Sequence, residues 1–163
     1  ASAPAWSVEG CADAILAWLD AEGITAPHLF GYSMGGRIAL RLAIAAPSRF
    51  GAIVIESASP GLETAGARAQ RRHDDAGLAA RLLGMPLERF IDDWYAQPLF
   101  ASLTASAAYA ELRTRRLSGD PAGLARALTC LGSGTQQSLW PRLGELQRPV
   151  HLVVGAQDTR YRD

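Results

Sequence analysis

A serine flanked by glycines stands between an apolar run and a helical pattern, in the stretch HLFGYSMGGRIAL at residues 28–40. The run up to Tyr32 is typical of a buried parallel strand, and from Met34 to Ala46 the apolar residues recur at the helical period. A Gly-x-Ser-x-Gly sequence between a strand and a helix favours a tight, strained turn that presents Ser33 at the carboxyl end of a sheet. We therefore expect an α/β fold built on a parallel sheet.

Such a turn requires little bulk around the serine. Gly31 and Gly35, two residues to either side, are expected to leave room for the turn. Gly36 is expected to let the following helix approach the sheet closely. Because the helix N-terminus points at the serine, the backbone N–H of Met34 is expected to donate to a developing oxyanion. Ser33 is thus a candidate catalytic residue, and the alternative is an incidental serine in a glycine-rich corner.

Further strands and helices are predicted on either side of this turn. Ser7 is a favourable N-cap for a helix that Gly23 ends. The stretches GAIVIES at 51–57 and VHLVVG at 150–155 predict two more buried strands. The order helix, strand, helix, strand is typical of a parallel α/β sheet.

About eighty residues between the last two strands have no strand pattern. Ala-rich helices are predicted there over 63–83, 87–95, 105–117 and 121–131. We therefore predict a sheet-containing core from 1–62 and 132–163, interrupted by a helical cap insertion at 63–131.

Composition argues against several kinds of partner. The 16 basic and 16 acidic residues cancel, so no nucleic-acid partner is expected. Cys11 and Cys130 lie far apart without a CxxC spacing, and no disulfide or metal site is expected. No apolar run approaches the ~20 residues that a membrane helix requires, so we expect a cytoplasmic protein without membrane insertion. No cofactor is expected, and composition leaves the oligomeric state open.

A triad serine requires an acid and a histidine, and one known chain order is serine, acid, histidine. Asp158, just after the third predicted strand, is the candidate acid, and the alternative is a helix cap or loop residue. His28 and His151 are expected to pack within the sheet, and His73 to be a solvated helix residue. The triad histidine is expected about 20 residues beyond the acid, given usual element lengths. The sequence ends at Asp163, so we expect this histidine outside it.

Several motifs are more distinctive than the serine turn: ESASPGLE, RAQRRHDD, DDWYAQPLFASL, DPAGLARAL, GSGTQQSLWPRL and VVGAQD. Together with GYSMGGRIALRLA, they closely resemble the 2-succinyl-6-hydroxy-2,4-cyclohexadiene-1-carboxylate synthases of menaquinone biosynthesis, an α/β-hydrolase family. The similarity runs from about Leu29 to Asp158. It implies a lyase that eliminates pyruvate from 2-succinyl-5-enolpyruvyl-6-hydroxy-3-cyclohexene-1-carboxylate without an acyl-enzyme. Only one helix precedes the serine strand here, so the resemblance implies a partial α/β-hydrolase fold.

The resemblance also implies roles for individual residues. Ser33 would be the triad serine, acting as the base, and Asp158 the triad acid. Arginines on several elements would bind a small polycarboxylate substrate, since arginine pairs carboxylates bidentately. The positions that match substrate-binding residues of the family are Tyr32, Arg37, Arg71, Trp94, Arg116 and Gln136.

Alternatives stay open for several of these positions. The match slips by one residue near Arg116, so Arg113 and Arg115 are rivals for its role. Trp94 falls at helical spacing with other apolar residues, which is equally typical of an ordinary core position. All 16 basic residues are arginine, so any one of them, Arg37 included, is also interpretable as a solvated helix charge.

Two other functions remain open beside the lyase. One is a carboxylic-ester hydrolase of the same fold. The other is a truncated relic or interaction domain without catalysis, which the absent histidine favours. In either enzymatic case, the chain alone is expected to be nearly inactive, because the serine lacks its proton acceptor. Loss of one oxyanion donor would cost a further ~3 kcal/mol of transition-state stabilisation.

Overall fold

A computed structural model describes residues 6–162, apart from the side chain of Arg160. By their internal contacts these residues form two compact units. The first unit runs up to Arg72 and resumes at Cys130, and the second comprises His73–Thr129. The second unit falls inside the segment 63–131, and the exact boundaries of the cap stay a prediction.

Eight α-helices and three strands are described in residues 6–162. In chain order they are α1 Val8–Ala21, β1 Leu29–Tyr32, α2 Met34–Ala45, β2 Ile53–Glu56, α3 Ala65–Leu83, α4 Leu87–Tyr95, α5 Ala101–Thr104, α6 Tyr109–Leu117, α7 Pro121–Leu131, β3 Val150–Val153 and α8 Thr159–Arg162. Short 3-10 helices occupy Pro98–Phe100 and Trp140–Glu145.

The three strands form one parallel sheet in the order β1-β2-β3. Leu29 of β1 lies opposite Ile53 of β2, which lies opposite Val150 of β3. Because all three strands run the same way, their carboxyl ends meet at one edge of the sheet. The predicted α/β class with a parallel sheet is confirmed.

The first helix begins and ends where the sequence indicates. The Ser7 side chain accepts a hydrogen bond from the N–H of Gly10 at 2.9 Å, which caps the first turn. Gly23, with φ of 66°, adopts the left-handed backbone just after the helix, which glycine does without strain. Both expectations for this helix are confirmed.

One face of the sheet carries the core of the first unit. Helix α2 packs on β1 and β2, and α1 packs against α2. Burying the apolar side chains of these elements supplies the main favourable free energy of this unit. The buried residues of this core are Ala12, Leu19, Leu40, Leu42, Ala43, Ile44, Phe50, Ile53, Ile55 and Leu139.

The strand β1 is partly exposed and β3 largely exposed, which corrects the prediction that they are buried, whereas the middle strand β2 is buried or half-buried throughout. Phe30 and Tyr32 on β1 are 68% and 61% exposed, and Leu152 on β3 is 75% exposed. The burial of a strand depends on which helices or loops pack on the two faces of the sheet. An apolar run in the sequence does not indicate how many of these are present. In the described part of the chain, α2 packs on β1 and β2, so β3 is covered incompletely.

The second unit is helical, as predicted, with one correction. The helix predicted over 105–117 begins only at Tyr109, after the separate short helix α5. Between them, the Ser106 hydroxyl donates to the carbonyl of Leu103 at 2.7 Å. Serine side chains compete in this way for backbone groups and interrupt helices. None of the helices within residues 6–162 is both long and apolar enough to cross a membrane.

Candidate active site

Ser33 lies on the turn between β1 and α2, at the carboxyl end of the sheet. Its backbone has φ of 52° and ψ of −113°, a positive φ that residues other than glycine rarely adopt. Its N–H donates to the carbonyl of Glu56 at 2.9 Å. The side chain is half-buried and makes no capping hydrogen bond to α2. The hydroxyl is therefore not consumed in starting the helix.

The glycines around this turn differ in how closely they are packed. A Cβ on Gly31 would lie 2.5 Å from the carbonyl oxygen of Gly35. A Cβ on Gly36 would lie 2.6 Å from the Cβ of Ala58. Both positions exclude a side chain, as predicted. A Cβ on Gly35 would meet no described atom within 4 Å. The prediction that Gly35 must lack bulk is therefore wrong for this structure, because its Cβ direction points into open space.

Met34 and Tyr32 flank the serine. Met34 is the first residue of α2, so its N–H has no acceptor within the helix. Tyr32 is the last residue of β1 and is largely exposed. The oxyanion role of Met34 and the substrate role of Tyr32 stay predictions.

Asp158 immediately precedes α8 and is held by its neighbours. Its carbonyl accepts from the N–H groups of Tyr161 and Arg162 at 3.3 and 3.1 Å. Its carboxylate Oδ2 accepts a hydrogen bond from the hydroxyl of Ser57 at 3.0 Å. Asp158 is thus at the start of a helix, but its carboxylate is bonded to a residue that follows a neighbouring strand.

The strand order spaces the candidate serine and the candidate acid. Ser33 follows β1 and Asp158 follows β3, with β2 between them. Two strand spacings amount to roughly 10 Å, which is too far for a direct hydrogen bond between strand ends. Asp158 lies beyond the end of β3, however, and its carboxylate contacts Ser57 at the end of β2, so the acid side chain lies beside the strand next to that of Ser33.

None of the three histidines stands at the carboxyl end of the described sheet. His28 is exposed and precedes β1, where its Nδ1 accepts from the N–H of Ala52 at 2.8 Å. His151 is exposed in β3 and lies opposite Val54. The expectation that both histidines pack within the sheet is wrong. His28 precedes β1, and His151 lies on the exposed face of β3. His73 is exposed on α3, as expected.

Arg37 and Gln136, which the sequence indicated separately, contact each other. Arg37 Nη1 donates to Gln136 Oε1 at 2.9 Å, and Nη2 donates to the carbonyl of Leu131 at 2.6 Å. Gln136 is 1% exposed, and its Nε2 donates to the carbonyl of Pro60 at 3.3 Å. Arg37 is therefore fixed by the protein rather than extended into solvent. Arg71 is half-buried on α3, and the substrate roles of these residues stay predictions.

In the second unit, Arg116 contacts an aromatic hydroxyl. Its Nε donates to the hydroxyl oxygen of Tyr95 at 3.2 Å, and Tyr95 is buried. Arg115, one of its rivals, approaches Glu111 only at 4.0 Å, and both side chains are exposed. The substrate role of Arg116 stays a prediction.

The other rival, Arg113, is engaged in an ion-pair cluster between α4 and α6. Its Nε and Nη2 donate to the two carboxylate oxygens of Asp92 at 2.7 and 2.9 Å. Nη2 also donates to Glu88 at 2.9 Å. Through these bonds Arg113 connects α6 to α4 within the second unit.

The ion-pair cluster is expected to shift the titration of the Asp92 carboxyl. The hydrogen bonds from Arg113 hold the pKa of the Asp92 carboxyl below its usual range. Because the folded-state pKa is lowered, the pair stabilises the fold above the unfolded pKa, and this contribution is lost as pH falls through the folded value. We expect Arg113→Ala to raise the pKa of Asp92 toward its ordinary value, measured by carboxyl carbon NMR. The control Arg115→Ala should leave it unchanged, and an Asp92 titration unaffected by Arg113→Ala would contradict the assignment.

Trp94 belongs to an aromatic cluster of the second unit. Its ring stacks on Phe90 with centroids 6.3 Å apart, and a tilted contact joins it to Phe100 at 6.0 Å. It also lines a cavity of about 300 Å³. The other residues lining this cavity are Leu78, Arg81, Phe90, Asp93 and Gln97. Packing contacts thus exist for Trp94, and its substrate role stays a prediction.

Ser57 is a site residue that sequence reasoning missed. It directly follows β2, its φ is 46°, and its hydroxyl contacts Asp158. Its N–H donates to the carbonyl of Val153 at 3.0 Å. The available signal was its position, since it follows β2 as directly as Ser33 follows β1. Polar residues at the carboxyl ends of parallel strands are those that line ligand sites in open α/β sheets.

The cysteines and acidic residues do not form a metal centre within the described chain. Cys11 and Cys130 are of intermediate burial and are not joined in a disulfide. In residues 6–162, no three His, Cys, Asp or Glu side chains are grouped so that they could hold a metal ion.

A family model described as the alpha/beta hydrolase fold matches residues 2–159. A relative from Bacillus subtilis is 43% identical over 136 residues, which are 82% of this chain and 49% of the relative. A relative from Salmonella typhimurium, named 2-succinyl-6-hydroxy-2,4-cyclohexadiene-1-carboxylate synthase, is 36% identical over 95% of this chain and 62% of its own length.

A solved structure is similar over most of the chain. It is described as MenH from S. aureus, and it is 34% identical with a TM-score of 0.82, covering 90% of this chain and 56% of that one. The chain therefore spans about half the length of the curated relatives it matches.

Proposed function

Because this chain belongs to the α/β-hydrolase fold family, we propose that it supplies the serine-bearing part of a pyruvate-eliminating lyase. The substrate is 2-succinyl-5-enolpyruvyl-6-hydroxy-3-cyclohexene-1-carboxylate, a small polycarboxylate. The observation that carries this proposal is the similarity to proteins named as the corresponding synthases. A cytosolic location and a triad histidine from outside these 163 residues are parts of the same proposal.

Ser33 acts on the substrate proton in this mechanism. The histidine accepts the proton of the Ser33 hydroxyl, and the serine oxygen removes a proton from a substrate carbon. The carbon's electron pair forms a new ring double bond, the existing ring double bond shifts by one position, and the bond to the enolpyruvyl oxygen breaks. The departing enolpyruvate takes up the proton held by the histidine and becomes pyruvate, which returns the histidine to its neutral form. No water is added and no acyl-enzyme forms.

Two further groups of the first unit support this proton transfer. Asp158 orients the histidine and stabilises its cation, as the acid of a triad does. The N–H of Met34, at the N-terminus of α2, donates to the oxygen on which negative charge develops. The positive φ of Ser33 supports its role, since strained backbone clusters at active sites.

The substrate carboxylates require fixed positive charges. Arg37 is held by buried Gln136 and by the carbonyl of Leu131, so its guanidinium is positioned before substrate arrives. Such preorganisation reduces the entropy lost on binding. Tyr32, Arg71, Trp94 and Arg116 are proposed as further substrate-binding residues.

Pyruvate release tests the proposal. We expect the chain extended at both ends by its own coding sequence to release pyruvate at least about 10³-fold faster than residues 1–163 alone, since only the extended protein contains a complete triad. The measurement couples pyruvate to lactate dehydrogenase. Hydrolysis of p-nitrophenyl esters without pyruvate release would favour a carboxylic-ester hydrolase. Failure of both assays would favour a non-catalytic domain.

A further inference from the structure

Two serines at neighbouring strand ends share an unusual backbone. Ser33 follows β1 and Ser57 follows β2, and they are the described non-glycine residues with positive φ, at 52° and 46°. Serine adopts such values at a cost in free energy, which folded proteins tolerate where surrounding contacts hold the residue. The strain at Ser33 accompanies its proposed catalytic role. The strain at Ser57 has no part in that mechanism and requires its own explanation.

The contacts of Ser57 connect it to the candidate acid twice. Its N–H donates to the carbonyl of Val153, the last residue of β3. Its hydroxyl donates to Asp158 Oδ2 at 3.0 Å. Ser57 therefore binds both ends of the turn that runs from β3 to the acid, and the second bond fixes the orientation of the carboxylate.

The bond also determines which oxygen of the acid remains for a partner. With Oδ2 bonded to Ser57, the other oxygen, Oδ1, has no hydrogen-bond partner among residues 6–162. A hydrogen bond to one oxygen of a carboxylate limits its rotation, so Oδ1 is presented in one direction. A triad acid must accept from the imidazole with one defined geometry.

We propose that Ser57 is a positioning residue that orients Asp158 toward the triad histidine. This inference rests on the proposed function, because it takes Asp158 to be the triad acid. The positive φ at Ser57 directs its side chain toward the acid while the backbone remains bonded to β3.

Kinetics of the extended protein test this role. We expect Ser57→Ala and Ser57→Gly to lower kcat by roughly tenfold to hundredfold, the effect of losing a hydrogen bond to a charged group. KM should stay within about twofold, since Ser57 acts through the acid and not on substrate. The matched control is Ser59→Ala, which removes a hydroxyl from the same loop that accepts only a long bond, 3.4 Å, from Gly61.

The glycine variant separates the hydroxyl from the strain. Glycine adopts positive φ freely, so Ser57→Gly should fold at least as well as the alanine variant and lose the same activity. Equal kcat in Ser57→Gly and the parent would overturn the proposal, as would a change confined to KM.

A crystal structure of Ser57→Gly provides a readout that does not need activity. We expect the Asp158 carboxylate to rotate away from its parental orientation while the backbone at Ser33 is unchanged. An unmoved carboxylate would overturn the positioning role. An extended protein without substitutions that releases no pyruvate, or full activity of Asp158→Ala, would instead refute the proposed function. The crystal structure would still decide whether Ser57 orients the acid.

Discussion

Replacing Ser33 by alanine is expected to lower pyruvate release by at least about 10³-fold in the extended protein, because no other group then takes the substrate proton. The fold should persist, since the Ser33 side chain makes no capping hydrogen bond and alanine carries a Cβ of the same size. The free energy of unfolding should change by less than about 0.5 kcal/mol. Steady-state kinetics and urea unfolding measure the two effects on the same sample.

Ser48→Ala is the matched control for this substitution. Ser48 is exposed just beyond α2, so its loss should change neither rate nor stability. A Ser33→Ala protein that keeps more than a tenth of the parental rate would show that another group removes the proton.

Gly31→Ala is expected to destabilise the chain by about 3 kcal/mol or more, at the upper end of overpacking effects. The added Cβ would lie 2.5 Å from the carbonyl oxygen of Gly35 and 2.7 Å from the Cα of Gly36. Both are backbone atoms, so no side chain can rotate to relieve the clash. The start of α2 must move away from β1, and the turn that holds Ser33 moves with it. Urea unfolding followed by circular dichroism measures the loss.

Gly35→Ala, four residues along the chain, is expected to have the opposite effect on stability. Its Cβ would meet open space, and alanine is the better residue in the first turns of a helix. We expect the free energy of unfolding to rise by about 0.5 kcal/mol. Equal destabilisation by both substitutions would contradict the packing described for this turn.

Local signals predicted the framework of the first unit because they depend on neighbouring residues alone. Ser7 as a cap, Gly23 as a stop and the strand-to-helix switch around Ser33 each follow from short-range geometry. The parallel class followed from the order of the elements.

Features that depend on tertiary contacts were not predicted. The exposure of Leu152 results from incomplete layers over β3, and an apolar sequence is compatible with either outcome. The bond between Ser57 and Asp158 joins residues 101 positions apart, and neither residue alone indicates it. Arg113 and Arg116 were interchangeable in sequence, and only their contacts with Asp92 and Tyr95 distinguish them.

The uncovered face of the sheet has a practical consequence for residues 1–163 handled alone. Phe30 and Tyr32 on β1 and Val153 on β3 are exposed apolar or aromatic side chains on the two outer strands. Outer strands offer backbone donors and acceptors to other chains, so such an edge acts as a template for intermolecular pairing. Concentrated samples should therefore self-associate, and a solubilising fusion or the flanking sequence is the natural means of keeping them dispersed.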